Sequence, residues 1–391
     1  MVRDLKVALI SLGYPPFSIG GHTPVCRDLA WNLSKKGVHT TVFCGKSKKM
    51  AVENVNSYLK VVRLPLLDLF PRHVWFQLQN TTTLMSLLKG FDVIHNIDPR
   101  AGIFTYFRKH LNTPFVTHVH GSTYGETRVF LKSPVSYWTP GDFVFEVLEY
   151  PMNEYLTNMC LRNSDHLVVC SNDRFYEMKR RNPNLDLAKV SVIYNGIDFE
   201  RIGHENRTDR EKENSILFWG RLYYNKGIIQ LMKAMALVKQ GFPNVHLDVC
   251  GKGPLEDKIR SLTHKLSLED NVTLHGFTKN KALTEKIKSA TVVALPSLYE
   301  GQPMAALEAM AYRKPVVMYD FPFAREYITD FDNGLIAKGG DVKDLADRIN
   351  EVLSDKKLRV KLGQNAYERV KKNHNWDDLV YKYMDLYSSL T

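Results

Sequence analysis

The chain predicts two successive α/β domains, each built on a doubly wound parallel sheet, and three observations carry that prediction. Short β-branched runs alternate along its length with helix-length amphipathic segments, as expected of strands buried on both faces and joined by crossover helices. At 391 residues it exceeds what one hydrophobic core ordinarily serves. A charged stretch at 199–213 lacks apolar periodicity, and the strand pattern starts afresh at 215. The expected division is a first domain at 1–198 and a second at 199–375.

In the first domain the strands are expected at 7–12, 40–43, 59–64, 92–95, 114–118, 166–171 and 190–194. The apolar run of the first reads as a strand and not a signal peptide, because no small-residue cleavage site follows it. Two insertions, 66–76 and 123–145, are long and aromatic, which suits a functional loop better than disorder; covering an end of the sheet is the plainer alternative. The second series runs 215–220, 245–250, 272–274, 291–295 and 315–318. The aromatic-rich segment 376–391, opening on Trp376, is expected to pack back on the first domain.

Composition sets limits. With 44% hydrophobic and 24% charged residues the chain is that of a soluble globular protein. It contains no window of the roughly 18 uncharged apolar residues that a membrane span needs. Five cysteines without paired spacing suggest neither a zinc site nor a disulfide framework, so a cytoplasmic location is expected. The net charge of +11 has a +7 share in residues 1–198, which suits an anionic substrate or an anionic membrane surface. No nucleic-acid module is present, and the clusters at 46–49 and 179–181 read as solvated faces.

The most informative stretch is 296–317, PSLYEGQPMAALEAMAYRKPVV. Glu300 and Glu308 flank a turn that opens a helix, so the backbone of Gly301, Gln302, Pro303, Met304 and Ala305 sits where free amides and the helix dipole favour an anion. A carboxylate on each side of a bound phosphate could hold hydroxyl groups, which is a layout for a sugar nucleotide. A polar helix start with solvated acids is the bland reading of the same residues. Gly220 and Arg221 run off the strand at 215–220, and Lys226 with Gly227 opens the next helix. Both cations thus fall at the carboxyl ends of a parallel sheet, the usual ligand crevice, where arginine clamps phosphate bidentately and lysine acts as a point charge. Gly251, in Gly-Lys-Gly-Pro, makes a further tight turn there. In the first domain, Gly20 and Gly21 lie between the first strand and its helix, where a ligand can approach the backbone closely. His120 follows a strand, with His118 two residues earlier; no third metal ligand is evident. Asp330-Phe331-Asp332 has the form of a metal-binding Asp-x-Asp pair but sits in a turn-rich segment, where loop chemistry explains it.

Taken together these residues resemble glycosyltransferase family 4, retaining enzymes of the GT-B fold, in which two Rossmann-like domains face each other across a cleft. The resemblance spans the chain, through Gly20-Gly21, His120-Gly121, Tyr194-Asn195-Gly196-Ile197-Asp198, Gly220-Arg221, Lys226-Gly227, 251–254, the Glu300/Glu308 pair, Asn333-Gly334-Leu335 and Trp376. It implies that Arg221 and Lys226 neutralise the donor diphosphate, Glu308 binds ribose hydroxyls, and Glu300 the transferred sugar. The amides after Glu300, with the Gly20-Gly21 loop, complete the donor contacts, and His120 lies near the reacting carbon. It implies no metal and no cofactor, a UDP or GDP sugar as co-substrate, and front-side attack by the acceptor. Two positions depart from the family pattern: Arg313 stands where glycine is common, and no glycine pair precedes Glu326.

Breaking a glycosyl–phosphate bond builds negative charge on the diphosphate, so donors aimed at the leaving group are the natural catalytic device. A two-carboxylate glycosidase scheme lacks a convincing second carboxylate. The expected activity is therefore transfer to a glycan or lipid-linked acceptor, by a protein peripheral at the inner face of a membrane. An epimerase or phosphorylase on the same fold, or an inactive sugar-nucleotide-binding scaffold, are the alternatives; the presence of Arg221, Lys226, Glu300 and Glu308 argues against lost activity.

Overall fold

The computed structural model describes residues 5–17, 22–47, 49–67, 69–202 and 212–391. They form two compact units: Met1–Ser122 with Tyr150–Asp198 and Trp376–Thr391, and Thr123–Glu149 with Phe199–Asn375.

The first unit carries an eight-stranded sheet of β1 (Lys6–Ser11), β2 (His39–Ser47), β3 (Ala51–Asn54), β4 (Leu59–Pro65), β5 (Val93–Asn96), β6 (Phe115–Val119), β7 (His166–Val169) and β8 (Val190–Val192). Its order is β3-β4-β2-β1-β5-β6-β7-β8, parallel except where β3 pairs antiparallel with β4. Strand order reverses between β1 and β5, in the register Val7↔Val93. Alternate side chains of β1 feed two separate cores, as the period of two dictates. Val7 and Leu9 pack with Leu29 and Leu33 of the helix His22–Lys35 and with Val380, Tyr383 and Tyr387 of the last helix, Trp376–Leu390. Ala8 and Ile10 join Phe76 and Leu84 of the helix Arg72–Leu87, and Phe104. Burial of each large side chain here contributes about 1.5–3 kcal/mol. The last helix enters at Trp376, whose ring lies against Gly196 so closely that a Cβ there would stand 2.8 Å from the indole.

The second unit has β9 (Ser215–Trp219), β10 (His246–Cys250), β11 (Val272–Gly276), β12 (Val292–Ala294), β13 (Val316–Tyr319) and β14 (Leu335–Ala337), all parallel, in the order β11-β10-β9-β12-β13-β14. The reversal lies between β9 and β12. Helices Val342–Ser354 and Lys356–Asn373 are capped by Asp341 and Asp355, whose carboxylates accept from two amides each.

The grouping departs from a continuous 1–198 domain at Thr123–Glu149, which clusters with the second unit. The cause is local packing and charge. The Tyr299 ring occupies the space beside Gly125, Tyr137 lies 5.7 Å from Tyr224, and Glu126 meets Arg221. Instead of an open loop the segment forms a helix, Thr123–Leu131, then short helical turns. The edge strand β3 has no counterpart in the expected strand set.

Candidate active site

In the second unit the loops leaving β9 and β12 meet at the strand-order reversal, where ligands of open α/β sheets bind. After β9 the chain runs through Gly220 and Arg221 into the turn Tyr224–Lys226 and the helix Ile228–Gly241. Gly227 takes φ +69°, and a Cβ there would lie 1.8 Å from the Pro296 carbonyl oxygen, so only glycine lets the two loops touch. The Leu298 amide donates to the Asn225 carbonyl at 2.7 Å, stitching the loops together. Lys226 Nζ reaches Glu300 Oε1 at 2.6 Å, and the Ser297 hydroxyl donates to the same oxygen at 2.8 Å. The pair is only partly covered, at 18% and 17% side-chain exposure, so it is held by geometry yet open to exchange with a ligand. Arg221 is more open, with its guanidinium 3.4 Å from Glu126 and 4.8 Å from the Tyr223 ring centre. Gly251 packs against the Gly220 carbonyl, whose own amide donates to Cys250.

The helix Met304–Ala311 begins after Pro303 without a side-chain cap. Its first-turn amides, Ala305 among them, have no acceptor further back in the helix and face whatever binds before it. Gly301 and Gln302 form the turn that leads in; Glu308 lies one turn inside, half-buried. The fold thus brings Lys226 together with Glu300, and places Gly220, Arg221, Gly251 and the 301–305 backbone after the carboxyl ends of strands of the same sheet.

Asp330 and Asp332 behave as loop residues. The Asp330 carboxylate accepts from the Ile336 amide at 2.9 Å, and Asp332 Oδ1 accepts from Asn365 at 3.0 Å. Among the described residues no group of three or more His, Cys, Asp or Glu is placed to hold a metal ion. Arg313 occupies a left-handed position, φ 56°, where glycine costs nothing; its guanidinium stacks 3.6 Å from the Tyr367 ring centre. Glu326 has its carbonyl engaged by Arg369 at 2.9 Å.

At the reversal of the first unit, between β1 and β5, the glycines Gly20 and Gly21 lie outside the described residues. His120 is present just beyond β6. Its Nε2 is buried and without a partner among the described residues. Burial holds its imidazole well below its ordinary value, His22 and His95 adding to that and Asp98 opposing it. The residues that sequence reasoning passed over are Asp98, Arg100, His22 and His73. Asp98 receives Arg100 bidentately, at 3.0 and 2.9 Å. Burial alone would push that carboxyl up, but Arg100 outweighs it and the group falls well below the usual range. His73 is lowered to about 4, by burial first and then by Arg100. Ser11, His73, Gln77, Asn96 and Asp98 line a small cavity there. The available signal was position: Asp98 follows β5 directly, at a carboxyl end beside the reversal.

Known proteins place this arrangement. Residues 19–201 match the family described as Glycosyltransferase Family 4, and residues 201–369 match Glycosyl transferases group 1. The chain belongs to glycosyltransferase family 4. This glycosyltransferase is 27% identical over 401 aligned residues, 98% of each chain, to an uncharacterised glycosyltransferase of Methanocaldococcus jannaschii. Among solved structures it resembles sucrose-phosphate synthase of Thermosynechococcus elongatus, with a TM-score of 0.79, 22% identity and 99% of both chains covered. It also resembles HepE of Anabaena, solved with UDP-glucose, at a TM-score of 0.75 and 16% identity, over 99% of this chain and 100% of that one. The fold is GT-B.

Proposed function

We propose that this glycosyltransferase moves a sugar, with retention of anomeric configuration and without a metal, from a nucleotide-diphosphate sugar to a glycan or lipid-linked acceptor. The observation that carries the reading is the Lys226–Glu300 pair beside the uncapped start of the helix Met304–Ala311. Together they put an exchangeable cation, a hydroxyl-binding carboxylate and the first-turn amides of a helix where a diphosphate and its sugar can bind. Lys226 and Arg221 take the diphosphate, Glu308 the ribose and Glu300 the transferred sugar. His120 accepts a hydrogen bond from a hydroxyl of that sugar. The glycosyl–oxygen bond to phosphate breaks, the acceptor oxygen forms the new bond on the same face, and its proton passes to the departing phosphate oxygen. The cations and helix pole stabilise that leaving group, the work a metal does elsewhere. The UDP-glucose held by HepE favours UDP among the candidate nucleotides.

The test is thermal stabilisation by UDP, GDP and ADP and their sugars, followed by turnover of the best donor with and without acceptor. Ligand at 100 times Kd adds about 2.7 kcal/mol to stability. Release of nucleotide diphosphate only with acceptor present is expected; conversion of donor without acceptor would point to an epimerase, and no stabilisation by any nucleotide would sink the assignment.

The acceptor side is proposed to lie at an anionic membrane from the cytoplasmic side. Support comes from the +7 charge of residues 1–198 and from Leu67, Leu69 and Phe70, all exposed on the segment before the helix Arg72–Leu87. No helix among the described residues is long and apolar enough to cross a membrane. Flotation with anionic liposomes at low salt is expected; indifference to them would remove this part.

A further inference from the structure

Four imidazoles of the first unit lie in succession. The His22 ring centre is 4.8 Å from that of His120, His120 is 3.8 Å from His118, and His118 is 5.6 Å from His95. The last two contacts are nearly parallel, at 19° and 11°. The inner end is tied to the last helix of the chain: His95 Nδ1 lies 2.6 Å from the Tyr387 hydroxyl, and the Tyr383 ring flanks both His95 and His118.

Stability does not account for these residue types. His118 is fully buried and neither of its ring nitrogens has a partner among the described residues. A buried polar group left unpaired costs about 1–3 kcal/mol, which a phenylalanine of similar shape would avoid. The column passes, however, through a ring whose orientation is otherwise closely set, that of His120. Cys170 Sγ donates to the His120 carbonyl at 3.1 Å, and the His120 ring donates to the Ile97 carbonyl. With Nε2 unpaired, the donor is Nδ1, and Nε2 carries a lone pair.

We propose that Tyr387 and Tyr383, acting through His95 and His118, are positioning residues that fix the plane of the His120 ring and preserve its acceptor nitrogen. The inference rests on the reading of His120 as a contact to a sugar hydroxyl. Its physical basis is twofold. Stacking removes the freedom of the ring to tilt. Burial also disfavours a proton on Nε2, with His22 and His95 adding to that and only Asp98 among the facing charged groups opposing it. Burial, and then His166, itself lowers His95 to about 3, so the inner end of the column stays neutral.

The experiment uses the full chain labelled with ¹⁵N-histidine, without ligand, and reads the tautomer and titration of His120 from long-range ¹H–¹⁵N correlations. In the native protein His120 is expected to remain the Nδ1–H tautomer well below the pH at which an ordinary histidine takes up its proton. His118→Ala and Tyr387→Phe should mix the tautomers and raise the titration midpoint by about one pH unit or more. His118→Phe, which restores a stacked ring, should return the native signature. A second reading is turnover of whichever of UDP-glucose, UDP-N-acetylglucosamine and GDP-mannose stabilises the protein most. There His118→Ala should lower kcat about 10- to 100-fold with KM little changed, and His118→Phe should recover most of it. A folded His118→Ala or Tyr387→Phe protein whose His120 signals match the native ones overturns the proposal. Tyr387→Phe removes a single oxygen and decides the matter should His118→Ala fail to fold. Full turnover by His120→Ala would instead count against the role given to His120 as a sugar contact, while the resonance result still decides the positioning.

Discussion

The two sheets share one strand order around their reversals, β4-β2-β1-β5-β6-β7 in the first unit and β11-β10-β9-β12-β13-β14 in the second, yet they present opposite chemistry. The second unit offers cations and carboxylates near the surface, Lys226 against Glu300 and Arg221 against Glu126. The first offers buried neutral imidazoles and one carboxylate, Asp98, already satisfied by Arg100. Topology chooses where a ligand can bind, and loop residues choose which ligand. Exchangeable charges suit an incoming diphosphate. Fixed neutral rings suit uncharged hydroxyls.

The largest expected effect follows from removing the exchangeable cation. Lys226→Met should lower turnover about 10²- to 10³-fold, the usual cost of losing one donor to a developing anion. His73→Gln, at the first unit's reversal, should cost far less. Equal losses at the two positions, measured as kcat/KM with the best donor, would erase the contrast between the units. Next in size is Gly227→Ala. A left-handed φ of 69° and a Pro296 oxygen 1.8 Å from the added Cβ require the two loops to part. A loss of about 3 kcal/mol in urea unfolding is expected. Nucleotide binding should fail with it. A variant of native stability that still binds nucleotide would mean the loops do not need their contact.

The strands of both units were legible because parallel strands buried on both faces read as continuous apolar runs. Two strands fall outside the expected set: β3, exposed along all four residues of Ala51–Asn54 so that no apolar period marks it, and β14, only three residues long. The helix and turns within Thr123–Glu149 looked like an aromatic loop because their partners, Tyr224, Tyr299 and Arg221, lie far along the chain. The same physics separates the two sites. Glu300 and Lys226 could be read locally, each beside a strand end and a glycine turn. Asp98 meets His22 and His73 only through the order β2-β1-β5, which spacing in sequence does not reveal. Arg313 reads as a departure from glycine, and its compensation by Tyr367 is visible only in three dimensions.

The contrast also has a pH signature. His73 is lowered to about 4 and His95 to about 3, in both cases mainly by burial. Unfolded histidine takes up its proton near pH 6.5. Between the two values the unfolded chain binds more protons, so stability rises with pH there, is fully present above about 6.5, and is lost as pH falls toward 4. Each such histidine contributes up to about 1.4 kcal/mol per pH unit in that window. Urea midpoints from pH 7.5 to 4.5 should therefore decline below 6.5, and His73→Phe should flatten the decline. An unchanged slope in that variant would show that His73 is solvated in the fold.

The smallest expected effect is the most selective one. Arg221 and Glu126 lie 3.4 Å apart with side chains 48% and 29% exposed, so water screens most of their attraction. Glu126→Gln should change stability by less than about 1 kcal/mol. Binding is another matter, because the carboxylate competes with any phosphate for the same guanidinium. Freed of it, Arg221 should hold UDP about two- to fivefold more tightly at low salt, an advantage that shrinks as added salt screens the exposed charges. Arg221→Gln in the same background should remove the gain. A gain that survives without Arg221 would mean that Glu126 repels the anion directly from Thr123–Leu131, making that helix, and not the arginine, the element that sets the charge at these strand ends.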